Sequence, residues 1–278
     1  MDFLEVCGLR RSIRIFDRKK PVDRVKIQRI LEVVRVATSC PGNLQPWRAI
    51  VVEQDKLAPA DRKALLAADN FQAAHAQAPF WIYWCADTDS ARPDTFRARV
   101  HELIDVGAMP TYYGWTHETV DGSILRGEIA PEGMANIEQI IHGMPPELSA
   151  VIARQETVGA CAIAVLAAVN EGLGTCLHSC HGADKIEDVR RVLKLPPSWN
   201  TIWVQLVGHP LEDREAGGQR PRLPFGELFF EMDPTRPFVR DEAAVKDLER
   251  EGLLRTPSPK PGRFEELMQI GRKLGYPI

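Results

Sequence analysis

The chain has 278 residues, 44% hydrophobic and 26% charged, with a formal net charge of −3. This is a globular composition long enough for a sizeable core, and the absence of a Pro/Ser-rich or highly charged linker favours one large domain over two. The near-neutral balance, with no basic run interleaved with aromatics, argues against a nucleic-acid surface.

Leu4 to Arg14 reads as a helix ending in the basic cluster Arg10, Arg11 and Arg14. Asp23 reads as an N-cap, after which Ile27, Ile30, Leu31 and Val34 follow the i, i+3, i+4, i+7 rule of an amphipathic helix ending near Thr38. The stretch "SCPGNLQPW" (Ser39–Trp47) comes next, then a strand over about 48–53 and a helix over about 61–68. "FWIYWCA" (Phe80–Ala86) is a short aromatic-rich run expected as a buried strand. Arg97–Val106 reads as helical. Residues 107–133 are weakly patterned and carry Tyr112, Tyr113, Trp115 and His117; they mark a lid-like insertion within about 88–146. Those four could stack on a flat substrate, or form a satellite core under a long loop.

Glu147–Glu171 is the clearest helix, apolar nearly all round in its second half and stopped by Gly172 and Gly174. A strand at Thr175–Ser179, a helix at Asp184–Leu193 and a strand at Thr201–Gly208 follow. Residues 232–278 hold six prolines and one helix, Arg263–Leu274, with too few apolar residues for a core of their own. This extension is expected to pack on a second subunit. Helices alternating with about four short strands give an α+β or α/β class.

"MDFLEVCGLRR" places its charges after its apolar residues, unlike a secretory signal. The apolar stretch Ala160–Val169 falls short of the about 20 residues needed to cross a bilayer. Six cysteines in this setting read as reduced thiols, so a cytoplasmic protein with no membrane partner is expected.

Four stretches could carry chemistry. In "LRRSIRIF", Arg10, Arg11, Ser12 and Arg14 offer guanidinium forks and a hydroxyl to a phosphate, or form a solvated basic face. In "SCPGNLQPW", Gly42 permits close backbone approach by a flat ligand, and Asn43 and Gln45 carry both donors and acceptors. The alternative there is an ordinary loop with buried amides. "TCLHSCH" (Thr175–His181) has Cys and His, but its spacing suits zinc poorly and no metal is expected. "GLGTCL" carries only part of a dinucleotide fingerprint and follows a helix rather than a strand. In "QRPRLPFGEL", Arg220 and Arg222 follow a Gly-rich loop.

The order of these motifs resembles the nitroreductase family of FMN flavoproteins. "RRSIR", "SCPGNLQPW" before a strand, a long apolar helix ending in "GLGT", "VGHP" and "RLPFGEL" carry the likeness over about residues 8–56 and 155–230. The resemblance implies an α+β fold with a central, mostly antiparallel sheet flanked by helices, in an intertwined homodimer with FMN at the interface. It divides the chain into an FMN-binding domain at 1–231 and a C-terminal extension at 232–278. It implies that Arg10, Arg11, Ser12 and Arg14 hold the FMN phosphate and ribityl chain, helped by Arg220 and Arg222. Cys40, Pro41 and Gly42 would pass beside the isoalloxazine, and Asn43 would bond its polar edge. Leu177, His178 and Ser179 would lie along the ring. Cys40 stands where the family usually has Ser, which weakens any side-chain bond there.

The implied activity is reduction of a nitroaromatic or other electron-poor aromatic substrate by NADH or NADPH, with hydride passing through flavin N5. The cofactor carries this chemistry, so no catalytic side chain is expected. The same scaffold also suits reductive dehalogenation, quinone or enone reduction, or small-molecule dehydrogenation. A non-catalytic flavin-binding module is the remaining alternative.

Overall fold

The computed structural model describes residues 1–37, 39, 42–109, 115–118, 120–121, 145–179 and 185–275. Cys40, Pro41, Tyr112, Tyr113, Cys180 and His181 lie outside the described residues.

Four strands, β1 (Trp47–Glu53), β2 (Phe80–Asp87), β3 (Gly174–His178) and β4 (Trp199–Gly208), form one sheet in the order β1-β2-β4-β3. All three pairings are antiparallel, as an α+β fold requires. Every residue of β2 is buried, so both faces of the sheet are covered. Alternation along β2 divides the core. Trp81 and Tyr83 face one cluster, which contains Leu65, Leu66, Ala74 and Val189 from α3 (Pro59–Ala68), α4 (Ala73–Gln77) and α7 (Ile186–Leu193). Phe80, Ile82 and Trp84 face the other, with Ile27, Ile30 and Val34 of α2 (Arg24–Arg35) and Ala160, Cys161, Ala164 and Ala168 of α6 (Pro146–Asn170). Ile30 and Ile82 are fully buried, each contributing about 1.5–3 kcal/mol.

Gln205 sits fully buried in β4 and cross-links these layers. Its Oε1 accepts from Trp84 Nε1 at 3.0 Å, and its Nε2 donates to Ala164 O at 3.2 Å and Thr175 Oγ1 at 3.1 Å. The apolar run Ala160–Val169 lies inside α6, whose 25 residues are by length and composition alone enough to cross a bilayer. Here its small buried residues let it lie close to α2 and all four strands.

Three expectations need correction. The first helix, α1 (Phe3–Leu9), does not reach Arg14; it ends where Arg10 turns extended at φ −61°, ψ 115°. From there the backbone runs beside β3, with a parallel bridge from Ser12 to Thr175 and Ile13 N donating to Thr175 O at 3.0 Å. Arg11 and Ile13 therefore point inward while Arg10, Ser12 and Arg14 alternate away from them. A Cβ on Gly174 would meet Ile13 Cγ2 at 2.8 Å, so glycine is what lets this segment approach the strand. Second, the expectation of one tail helix misses α8 (Glu242–Arg250), which precedes α9 (Arg263–Leu274). Third, the short α4 carries too few residues for a periodic signal and is absent from the sequence reading. The remaining helix, α5 (Pro93–Asp105), starts four residues earlier than expected, with Pro93 in its first turn.

The tail is also laced to its own chain. Gln219 N donates to Thr256 O at 2.8 Å, Ser258 N to Gln219 O at 2.9 Å and Lys260 N to Gly217 O at 2.8 Å. Exposed apolar side chains remain on it, including Phe264 at 71% and Met232 at 94% exposure.

Candidate active site

The basic motifs at the two ends of the chain converge. Arg11 is buried, donating from Nε to Gly218 O at 3.1 Å and from Nη1 to Gly8 O and Arg10 O at 2.8 Å. The acceptor at Gly218 lies in a run of left-handed backbone, Ala216, Gly217 and Gly218 at φ 43°, 84° and 96°. That run turns the chain so that Arg220 and Arg222 come back toward the N-terminal segment. Burial, then the field of Arg222, pushes the Arg10 pKa down. Burial, then Arg10, also lowers that of Arg11; Glu215 opposes this, and Arg220 and Arg222 reinforce it. Arg10, Arg11, Arg220 and Arg222 thus lie within reach of one another's fields. Arg11 Nη2 is buried with no partner among the described residues. Arg220 and Arg222 open onto a groove of about 740 Å³ that Phe225, Phe229, Arg240 and Arg255 also line. Such an excess of donors suits a multiply charged anion such as a phosphate.

Arg14 leads into a second cavity, of about 350 Å³, within the size range of small-molecule sites. Arg14, Gln72, Gln77 and His178 supply its polar groups; Leu267, Ile270 and Leu274 of α9 supply an apolar wall. The two sides are tied by Glu212, whose side chain is 2% exposed. Its Oε1 accepts from Arg14 N at 2.6 Å and Ile15 N at 3.1 Å, and its Oε2 pairs with Arg263 Nη2 at 2.5 Å.

Behind His178 lies a cluster that sequence reasoning missed. Asp69 Oδ2 is 2.6 Å from His178 Nδ1 and 3.0 Å from His75 Nδ1. His75 is fully buried against Trp81, ring centroids 4.2 Å apart, and its Nε2 has no partner among the described residues. Burial pushes the His75 pKa down despite Asp69. Burial also works against charge on His178, but the bond to Asp69 and the nearby Cys176 outweigh it and raise the pKa to about 9. Asp69 is held below its ordinary value: burial opposes ionisation, and the two imidazoles overcome it. The turn that places Asp69 continues through Asn70 and Phe71, both left-handed at φ 52° and 53°. Along β3, Cys176 and His178 share one face, so Leu177 points to the other. Leu177, His178 and Ser179 therefore cannot all present side chains to one ring.

The Ser39–Gln45 loop, in its described residues, does not join this site within one chain. It enters β1, whose Trp47 is level with Ala86 and Asn200, while Ser12 bridges Thr175, which is level with Val207. β1 and β3 are opposite edges of the sheet. Strand spacing and rise put Asn43 and Ser12 on the order of 25 Å apart. Its described residues are tied together locally. Asn43 and Gln45 are left-handed, Gln45 Nε2 donates to Asn43 Oδ1 at 2.8 Å, and Gln45 N donates to Ser39 Oγ at 2.8 Å. Arg48 fixes its exit, donating to Gln45 O and Trp47 O at 2.9 Å and pairing with Asp87 at 3.0 Å. Trp115 packs on a third cluster with Leu44, Phe96 and Val100, and His117 contacts His101 at 2.7 Å and Asp105 at 2.9 Å. Among the described residues no group of three or more His, Cys, Asp or Glu is arranged to hold a metal.

The fold is similar to that of solved nitroreductase-like proteins. Bacillus subtilis YdfN superposes with a TM-score of 0.63 at 18% identity, over 83% of this chain and 98% of that one. A "putative nitroreductase in complex with FMN" from Exiguobacterium sibiricum gives 0.61 at 19% identity, over 82% and 96%. The sequence model of the nitroreductase family matches residues 9–209, and the chain belongs to that family of flavoprotein oxidoreductases. "Putative NAD(P)H nitroreductase Spy0809" of Streptococcus pyogenes is 33% identical over 110 residues, 40% of this chain. The chain spans about half the length of the curated relatives it matches.

Proposed function

We propose that the protein is an FMN-dependent oxidoreductase that takes hydride from NADH or NADPH and reduces a nitroaromatic or other electron-poor aromatic substrate. One observation carries the cofactor: guanidinium charge from both ends of the chain, Arg10 and Arg11 with Arg220 and Arg222, crowds at one edge. Arg10, Arg11, Ser12, Arg14, Arg220 and Arg222 hold the FMN phosphate and ribityl chain. His178 and the neighbouring β3 backbone at Leu177 and Ser179 border the ring. The flavin, when bound, supplies two-electron redox chemistry; the protein orients both partners and balances charge.

The two-edge layout supports a homodimer. The segment that carries Cys40, Pro41, Gly42 and Asn43 of one chain meets the arginine edge of the other, because a single chain holds Asn43 too far away. Val151 and Val158 of α6 are 48% and 41% exposed and lie seven residues apart on one face, which suits a buried interface. Residues 1–231 form the catalytic domain, with Tyr112, Tyr113, Trp115 and His117 of the 88–146 insertion toward the substrate, and 232–278 an extension that also touches the partner. The cytoplasm is the expected place for this chemistry.

The test is the visible spectrum of the purified protein with its mass in solution. Yellow protein with one FMN per chain, running as a dimer and bleached by a dihydronicotinamide under nitrogen, is expected. Protein that stays colourless after incubation with FMN overturns the reading.

A further inference from the structure

The His75–Asp69–His178 cluster has no part in holding a phosphate, yet it is built with care. A buried carboxylate bridges two imidazoles, and only one of them, His178, reaches a cavity. His75 sits fully enclosed, so only His178 can exchange a proton with a bound molecule. Nδ1 of His178 is committed to Asp69, which leaves the Nε2 proton for the cavity. The groups facing His178 are Asp69 from the turn after α3, His75 from α4, Cys176 from its own strand and Arg14 across the cavity; α9 presents only the uncharged Leu267, Ile270, Gly271 and Leu274. The Asp69 carboxylate and Cys176 keep the imidazole protonated in neutral solution, although burial opposes its charge.

We propose that His178 is the acid that gives the reduced acceptor its second proton, with Asp69 and His75 as positioning residues; a quinone serves as the test acceptor. This deepens the flavin reading above and rests on it. The balance is simple. The acceptor gains two electrons and one proton as hydride, originating in the dihydronicotinamide and relayed by the cofactor. Its oxygen takes a second proton from His178 Nε2, giving the hydroquinone. The ring is left neutral, and water at the cavity mouth returns the proton.

The experiment uses 2-methyl-1,4-naphthoquinone as the probe acceptor in anaerobic stopped flow. In His178→Gln, reoxidation of the reduced enzyme by the quinone slows by at least about 100-fold, the usual worth of a positioned acid, and slows more than reduction by NADPH does. Histidine NMR of wild-type protein free of flavin gives an independent readout: one imidazole titrates near pH 9, and Asp69→Asn brings it to about 6.5 or below. A yellow His178→Gln enzyme reoxidised at the wild-type rate overturns the proton donor alone. Wild-type His178 titrating at or below about 6.5 overturns it even if the variant does not fold. Wild-type protein that binds no FMN overturns the flavin reading and this one with it.

Discussion

Glu212→Gln tests how the arginine edge is joined to the C-terminal helix. The carboxylate is 2% exposed and its partner Arg263 is 17% exposed, so the pair is well shielded from solvent. Glutamine keeps an oxygen for Arg14 N and Ile15 N but turns an amide donor, or no charge at all, toward Arg263. Removing one member of a buried pair costs about 3–5 kcal/mol, and the retained oxygen favours the lower end, about 3 kcal/mol. For a chain of this size that corresponds to a Tm lower by roughly 6–10 °C. Thermal unfolding followed by circular dichroism measures it. A double-mutant cycle with Arg263→Met isolates the pair, and a coupling of at least about 1 kcal/mol is expected. A Tm within about 2 °C of wild type, or a coupling near zero, refutes the argument.

The same cluster chemistry predicts a pH dependence. His178, raised from 6.5 to about 9, contributes stability that is complete below pH 6.5 and is lost as pH rises through about 9. That interval corresponds to about 3 kcal/mol, so urea unfolding at pH 6 and pH 10 should differ by an amount of this order, and Asp69→Asn should flatten the difference. Asp69, depressed in the fold, works the opposite way: its contribution holds above pH 3.8 and fades as pH falls through its lowered value. Arg222→Ala should weaken FMN binding by about 10–100-fold, the loss of one charge-assisted contact, as fluorescence quenching would show. Gly42→Ala should lower stability by about 2 kcal/mol in a denaturant titration, because φ is +56° and the new Cβ would fall 2.6 Å from Phe96 Cε2.

Strands were the most readable part of the sequence. "FWIYWCA" is too short and too aromatic for a helix, and its alternation splits two cores as drawn. The N-terminal misreading has an equally local cause. In "RRSIRIF" the inward residues Arg11 and Ile13 alternate, a strand signature, but the basic run hides it because Arg11 is buried and still charged. The arginine motifs were readable as a set because each is a short local cluster. Their union with the Ser39–Gln45 loop was not, since that separation is decided by strand order. Glu212 and the Asp69 cluster escaped for the same reason. Their partners lie 198 and 109 positions away, and neither carboxylate stands in a motif of its own.

The placement of the arginines and the amide loop on opposite sheet edges has a genetic consequence. If each pocket borrows one edge from either chain, a protein defective only at Arg222 and another defective only at Asn43 are each inactive alone. Co-expressed, they pair at random, and every mixed pair rebuilds one wild-type pocket while concentrating both lesions in its sister. Two dead alleles would then complement, and yellow colour would return to the mixture without any reversion.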